Sequence, residues 1–397
     1  MNYRLILKKI KPTKLEGFIL NLKVKSFVNK LQKGINAEVV LGGSVAKGTW
    51  LMGNYDIDVF VRFKLKGDLS EDLWKILKER FNKIERIHGS RDYFQVFYKG
   101  LNFEVVPVLK VKCSKEIENI TDISPLHVIW VKNNINDLED EIRLAKSFCK
   151  AQEVYGAETY KKGFSGYVIE LLVIKYNGFE NFLKNAINWK EGEIISFFDK
   201  KVDSKNIPLF LADPVQANRN AAAALSYEKL NKFKSVARAF LNNKSKRYFL
   251  RKKILLKDVI DNNLVLKIWN LKGNMDIVGT KLLKFFERLS SLLKEEGFFI
   301  INSGWSWDEK KEALMWFSVK VNILPKFKLH KGPPLENKSD CLKFREKYKL
   351  YEIKEKNGRL YVNLPRKVRS LKEFIELCLK NDAYFLERVQ SVKIVKG

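Results

Sequence analysis

Cysteine and histidine are scarce in this sequence, at four and three residues in 397. Cys113, Cys149, Cys341 and Cys378 lie far apart with no CxxC pair, which leaves neither a readable disulfide framework nor a zinc site. No run of 18 apolar residues occurs. The opening stretch MNYRLILKKIKPTK has neither the apolar core nor the small-residue cleavage site of a signal peptide, so a cytoplasmic protein with no membrane partner is expected. Internal repeats and low-complexity linkers are also lacking. Acidic residues are in short supply, 46 against 75 Lys and Arg, for a net charge of +29. The basic excess continues on both sides of residue 250, which suits a polyanion touching several domains, such as RNA or DNA. Lysine written on every solvated face would give the same count. A chain 46% hydrophobic and 12% aromatic is not disordered throughout, and at ~100 to 200 residues per domain it holds two to four cores.

The patterning divides the chain into three regions. In the first, residues 1–132, helical spacing from Leu15 to Leu31 is followed by a short buried strand, Ala37 to Leu41. A helical turn is predicted over Val45 to Leu51 and a β-branched, aromatic strand over Tyr55 to Phe63. A helix from Leu69 to Ile84 and strands at Tyr93 to Tyr98 and Phe103 to Val111 complete an α/β domain. Residues 133–250 read as helical, with segments at Asp137 to Phe148, Tyr167 to Tyr176, Phe179 to Trp189 and Tyr227 to Leu241. Residues 251–397 mix a helix near Thr280 to Leu293 with strands at Phe298 to Ile301, Leu314 to Ile323 and Arg359 to Leu364, the last after the turn pair Asn357-Gly358. Trp305 and Trp307 are the tryptophans best suited to stack on nucleic acid.

Chemistry concentrates near residue 56. Asp56 and Asp58 are two apart in a strand, so period 2 puts both carboxylates on one face. Such a pair is costly unless a divalent cation neutralises it, and Glu104, in the strand NFEVVPV, could supply a third carboxylate. Three carboxylates on neighbouring strands could hold two ions about 3.5 to 4 Å apart. On spacing alone, solvated strand-end acids are the favoured reading. Gly42, Gly43 and Ser44 upstream change that balance, because a glycine turn that follows a strand and opens a helix offers backbone N–H groups to an anion. GGSVAKGT does not have the order of a P-loop. The other polar candidates have ordinary readings of their own: His127 as a cap or packing residue, Lys146 as a solvated helix-face lysine, Tyr155 as a core or hinge aromatic.

GGSVAKGTWLMGNYDIDVF resembles the signature of the nucleotidyltransferase superfamily that includes DNA polymerase β and poly(A) polymerases. FEVVPVLKV, ISPLHVIWV, RLAKSFCKAQEVYGAE, KKGFSGYVIELLVIKY and ADPVQANRNAAAALS are similar to successive motifs of the archaeal-type (class I) CCA-adding enzymes, and HKGPP and RKVRS extend the likeness beyond residue 325. The resemblance implies an α+β multidomain fold: a polymerase-β-like nucleotidyltransferase head (1–132), a helical neck that selects the base (133–250), and an α+β body and tail that bind tRNA (251–397). It implies Asp56, Asp58 and Glu104 as the metal carboxylates for Mg²⁺, two ions in all. Gly43, Ser44 and Lys47 are placed on the triphosphate, with further nucleotide contacts from His127, Lys146 and Tyr155, and Arg219 on the base edge. Its partners would be CTP, ATP and the acceptor stem and elbow of tRNA, and a homodimer is among the assemblies it admits. Three residues depart from the usual pattern. Lys47 stands where Arg is common, Asp56 where Glu is frequent, and Glu104, one methylene longer, where Asp is usual. A poly(A) polymerase, another RNA-tailing transferase, or a non-catalytic RNA binder on the same scaffold are the alternative readings.

Overall fold

The computed structural model describes residues 2–53, 56–198, 206–252, 254–261 and 263–396, and the chain divides into two compact units, Met1–Lys252 and Lys253–Gly397. The first unit opens with α1 (Arg4–Ile10) and α2 (Lys14–Gln32), the latter capped by the Thr13 side chain, which accepts from Glu16 N–H. Then come β1 (Ala37–Leu41), the single turn α3 (Gly43–Ala46), β2 (Ile57–Phe63), α4 (Leu69–Arg80), β3 (Ile84–Ile87), β4 (Tyr93–Tyr98) and β5 (Leu101–Leu109). The strands form one sheet in the order β1-β2-β5-β4-β3, antiparallel except for the parallel pair β2 and β5. Tyr55, the expected first residue of the second strand, lies outside the described residues, and Asp56 precedes the strand as an exposed residue.

Period 2 along β2 and β5 gives the sheet two faces with different tasks. Ile57, Val59 and Val61 join Phe103 and Val105 in a buried core beneath Phe27 of α2 and Leu73 and Leu77 of α4, where Phe27 stacks on Phe103 at 3.8 Å. Asp58 and Glu104, which fall between those residues in the alternation, belong to the opposite face. Further along that face Phe60, Val106 and Val108 meet Val128 of α5 (Ser124–Asn134).

The rest of the first unit is helical: α6 (Glu139–Ala151), α7 (Gly166–Lys175), α8 (Phe179–Ala186) and, after a short parallel pair β6 (Glu193–Ile195) and β7 (Leu209–Leu211), α9 (Tyr227–Asn242). The patterning did not anticipate that pair, whose strands are three residues each. Helix α7 is apolar nearly all round, and such a helix must be enclosed. Val168 to Val173 are accordingly buried among Phe148, Phe182 and Phe233. Ile6 of α1 enters the same core.

The second unit carries α10 (Leu256–Val259), β8 (Leu264–Asn270), α11 (Met275–Glu296), β9 (Ile300–Trp307), β10 (Glu312–Val319), β11 (Phe327–Pro334), α12 (Lys338–Lys347), β12 (Ile353–Lys356), β13 (Arg359–Pro365), α13 (Leu371–Asn381), α14 (Ala383–Leu386) and β14 (Val389–Lys396). Its sheets run β14-β8-β10-β9 and β11-β13-β12. Asn357 and Gly358, at φ 49° and 68°, close the expected tight hairpin between β12 and β13. Trp307 corrects the stacking expectation, because it is buried and its indole N–H donates to Asn270 Oδ1 at 3.1 Å.

Candidate active site

Asp58 and Glu104 are direct partners in the β2–β5 register. The turn carrying Gly42 and Gly43 closes over the first of them, with Gly42 N–H donating to the Asp58 carbonyl at 2.7 Å. Gly43 has φ +58°, and a Cβ placed there would fall on Asp58 Oδ2. Both features require glycine. Ser44 follows in the helical turn, and its carbonyl accepts from Thr49 N–H at 3.0 Å, which folds the segment back on itself.

The carboxylates resist one another. Burial and the Asp56 charge push the Asp58 carboxyl up to about 6 against the pull of Lys47, and burial with Asp58 and Asp56 pushes Glu104 up to about 7. None of the three takes part in an ion pair among the described residues, in a chain with 75 Lys and Arg. Nor are three His, Cys, Asp or Glu side chains gathered closely enough among those residues to enclose an ion. An open set of unpaired, partly desolvated oxygen donors suits a hard divalent cation with waters in its shell. The donor chemistry therefore fits the metal that the sequence implied.

Lys146 sits elsewhere than a solvated reading would put it, and Lys47 shares its partner. Lys146, on α6, is buried, and its ammonium donates to Glu170 Oε1 at 2.7 Å and Thr49 Oγ1 at 3.0 Å. Lys47 Nζ lies 2.5 Å from Glu170 Oε2. Burial alone would raise the Glu170 carboxyl, but Lys146 and Lys47 outweigh it and hold the group at about 2. Burial with the Lys47 and Arg143 charges draws the Lys146 pKa down, against Glu170. Tyr155, paired by a bridge with Phe164, brings its hydroxyl to the start of α7, where a Cβ on Gly166 would lie 2.9 Å from that oxygen and 3.8 Å from Lys146 Nζ.

His127 and Arg219 converge on a buried acid that the sequence reading passed over, Asp213. Arg219 Nη1 donates to Asp213 Oδ2 at 2.6 Å, Tyr167 Oη donates to Oδ1 at 3.2 Å, and His127 Nε2 lies 2.9 Å from Oδ2. The imidazole nitrogen is close to the carboxylate without the alignment of a hydrogen bond. Its ring stacks on Tyr167 at 4.3 Å. Burial opposes ionisation of Asp213, but His127, the Val215 amide and Arg219 bring it to about 2. Thr49, Tyr167, Glu170 and Asp213 are thus the residues that sequence reasoning missed. The available signals were a lone acid inside the apolar helix GYVIELLVIK and an acid six residues before Arg219.

Three family models cover most of the chain: a nucleotidyltransferase domain over residues 22–145, the second domain of tRNA nucleotidyltransferases over 140–250, and the C-terminal domain of CCA-adding enzymes over 270–386. The CCA-adding enzyme of Nanoarchaeum equitans is 38% identical over 82% of this chain and 83% of its own. That of Methanosarcina barkeri is 32% identical over 94% and 87%, and that of Methanocaldococcus jannaschii 33% identical over 86% and 83%. A solved cytoplasmic RNA terminal U-transferase matches 63% of this chain and 97% of its own with a TM-score of 0.51 at 14% identity, a likeness of fold. With the glycine turn, the strand carboxylates and the succession of domains in place, this chain belongs to the CCA-adding enzyme family of tRNA nucleotidyltransferases.

Proposed function

We propose that the chain adds C, C and A to the 3′ end of tRNA from CTP and ATP without a nucleic-acid template, releasing pyrophosphate. The observation that carries this reading is the pairing of Asp58 with Glu104 on adjacent strands, beneath a turn whose glycine leaves room for the Asp58 carboxylate. Asp58 and Glu104 would hold one Mg²⁺ beside the attacking 3′-hydroxyl, and Asp56 and Asp58 a second beside the triphosphate. Bound there, the ions lower the pKa of the hydroxyl and screen the phosphates. The Gly43 and Ser44 turn, Lys47, His127 and Tyr155 would orient the triphosphate for in-line attack at its α-phosphorus, with Lys146 behind them, buried and with its three donors spent on Glu170 and Thr49. Arg219 spends one N–H on Asp213, leaving others for the edge of cytosine or adenine.

On this reading residues 1–132 form the catalytic head, 133–250 the neck that faces the base, and 251–397 the body and tail that take the acceptor stem and elbow of tRNA. Among the described residues no helix is long and apolar enough to cross a membrane. Sequencing the 3′ ends of a tRNA lacking CCA after incubation with both triphosphates tests the proposal. Ends completed to CCA are expected. A homopolymer tail would instead indicate a poly(A) or other tailing transferase, and unextended RNA a binder.

A further inference from the structure

Lys47 and Lys146 share one anion. Glu170 stands in the middle of α7, where burying a lone carboxylate costs several kcal/mol unless cations and hydrogen bonds compensate it. Its side chain is 1% exposed, against 8% for Lys47 and 4% for Lys146. Oε1 accepts from Lys146 and, at 2.7 Å, from Thr49 Oγ1, while Oε2 accepts from Lys47. Lys146 directs further donors at Thr49 Oγ1 and, at 3.4 Å, the Thr49 carbonyl. Lys47 spends one of its three donors on Glu170, which leaves two for another anion.

The cluster also ties the glycine turn to the helices behind it. Thr49 N–H is bonded to the Ser44 carbonyl, and Arg143 of α6 grips the neighbouring Gly48 carbonyl and, at 3.1 Å, that of Trp50. Lys47 directly follows the turn Gly43–Ala46 as its C-cap, and a Cβ on Gly43 would meet the Asp58 carboxylate, so the cluster borders the carboxylate site.

We propose that Glu170 is a positioning residue for nucleotide addition: braced by Lys146 and Thr49, it holds the Lys47 ammonium beside the glycine turn, where the triphosphate sits. This rests on the function proposed above. Two other roles are conceivable for such a carboxylate, and both differ in outcome. As a decoy it would compete with the triphosphate for Lys47, so its removal would tighten nucleotide binding, as would the loss of a negative charge beside a polyanion. As a plain tie between α7 and residues 47–49 it would affect every ligand alike.

The test is Glu170→Gln in the full-length chain, with CTP binding, steady-state extension of tRNA, and binding of cytidine, which has no phosphates. The expected result is a KM for CTP and for ATP raised by about tenfold or more, the scale of one misplaced charge-assisted hydrogen bond. The KM for tRNA and the affinity for cytidine should stay within about twofold, a pattern that a plain tie would not give. CTP bound as tightly as by wild type, or more tightly, overturns the proposal. So does an equal loss for cytidine, CTP and tRNA. Should the Gln variant fail to fold, Glu170→Asp keeps the charge and shortens the reach, and the same selective rise in KM is expected; an unchanged KM overturns the proposal. Wild-type protein that neither binds nor transfers CTP would instead refute the functional reading, which separates the two failures.

Discussion

The space that a side chain on Gly43 would occupy is already taken by the Asp58 carboxylate. Gly43→Ala must therefore displace either the turn or the carboxylate, and it adds ~1 to 2 kcal/mol of left-handed backbone strain at φ +58°. Nucleotide addition should fall by about a hundredfold or more, as expected when a reactive geometry is disturbed by an ångström. Gly17→Ala is the control, because nothing lies within 4 Å of a Cβ there and the position is inside α2. It should keep full activity and gain ~0.5 to 1 kcal/mol of stability. Initial rates and thermal melting of the two variants check both expectations.

A second expectation follows from the raised carboxyls of Asp58 at about 6 and Glu104 at about 7. Both lie above their ordinary values, so their contribution to stability is fully present below about pH 4 and is lost as pH rises through 6 to 7. A cation that binds the ionised forms restores what is lost. Added Mg²⁺ should then raise the melting temperature by several degrees at pH 8 and by much less at pH 5. An equal effect at the two pH values would place the ion elsewhere.

The parts of this site that were legible in the sequence are those set by local rules. Strand, glycine turn and strand follow from β propensity, period 2 and the turn preference of glycine, while the packing of Gly43 on Asp58 emerged only in the fold. The strand register adds Glu104 because both strands are apolar at alternate positions. Glu170 and Asp213 were not read, since most of their partners are far away in sequence: Lys47 lies 123 residues from Glu170, and Asp213, though close to Arg219, is also met by Tyr167 of α7 and His127 of α5. Lys146 looked like a solvated helix lysine because its partner could not be seen. Trp307 was misjudged for the same reason, its N–H being satisfied by Asn270 across the sheet. β11 and β14 were missed because the strands they pair with, β13 and β8, decide their conformation more than their own composition does.

Arg219→Ala should narrow the lead of CTP and ATP over UTP and GTP. Correct bases lose donors that incorrect ones never engaged, so kcat/KM for CTP and ATP should fall by ~1 to 3 kcal/mol. His127 and Tyr167 still face Asp213 in this variant, which limits the structural damage. Single-nucleotide extension with each of the four triphosphates measures the change. An equal loss for all four would assign Arg219 to phosphate or to folding.

Affinity for tRNA should fall steeply and linearly on a logarithmic scale as salt rises, because Lys and Arg displace condensed counterions from the phosphates. Equilibrium binding between low and high salt gives the slope. A flat response would mean that the net charge of +29 is spread over faces that never meet RNA.

The central claim, that Asp58 carries nucleotidyl transfer and not RNA binding, is tested most directly by Asp58→Asn, which preserves the side chain's shape and removes its charge. Single-turnover incorporation of CTP into a tRNA lacking CCA, with tRNA affinity measured on the same samples, is the measurement. The account predicts a loss of ~10²-fold or more in rate, the scale of several kcal/mol of lost charge stabilisation, with tRNA affinity within about twofold of wild type. More than a tenth of the wild-type rate in saturating Mg²⁺ would contradict it.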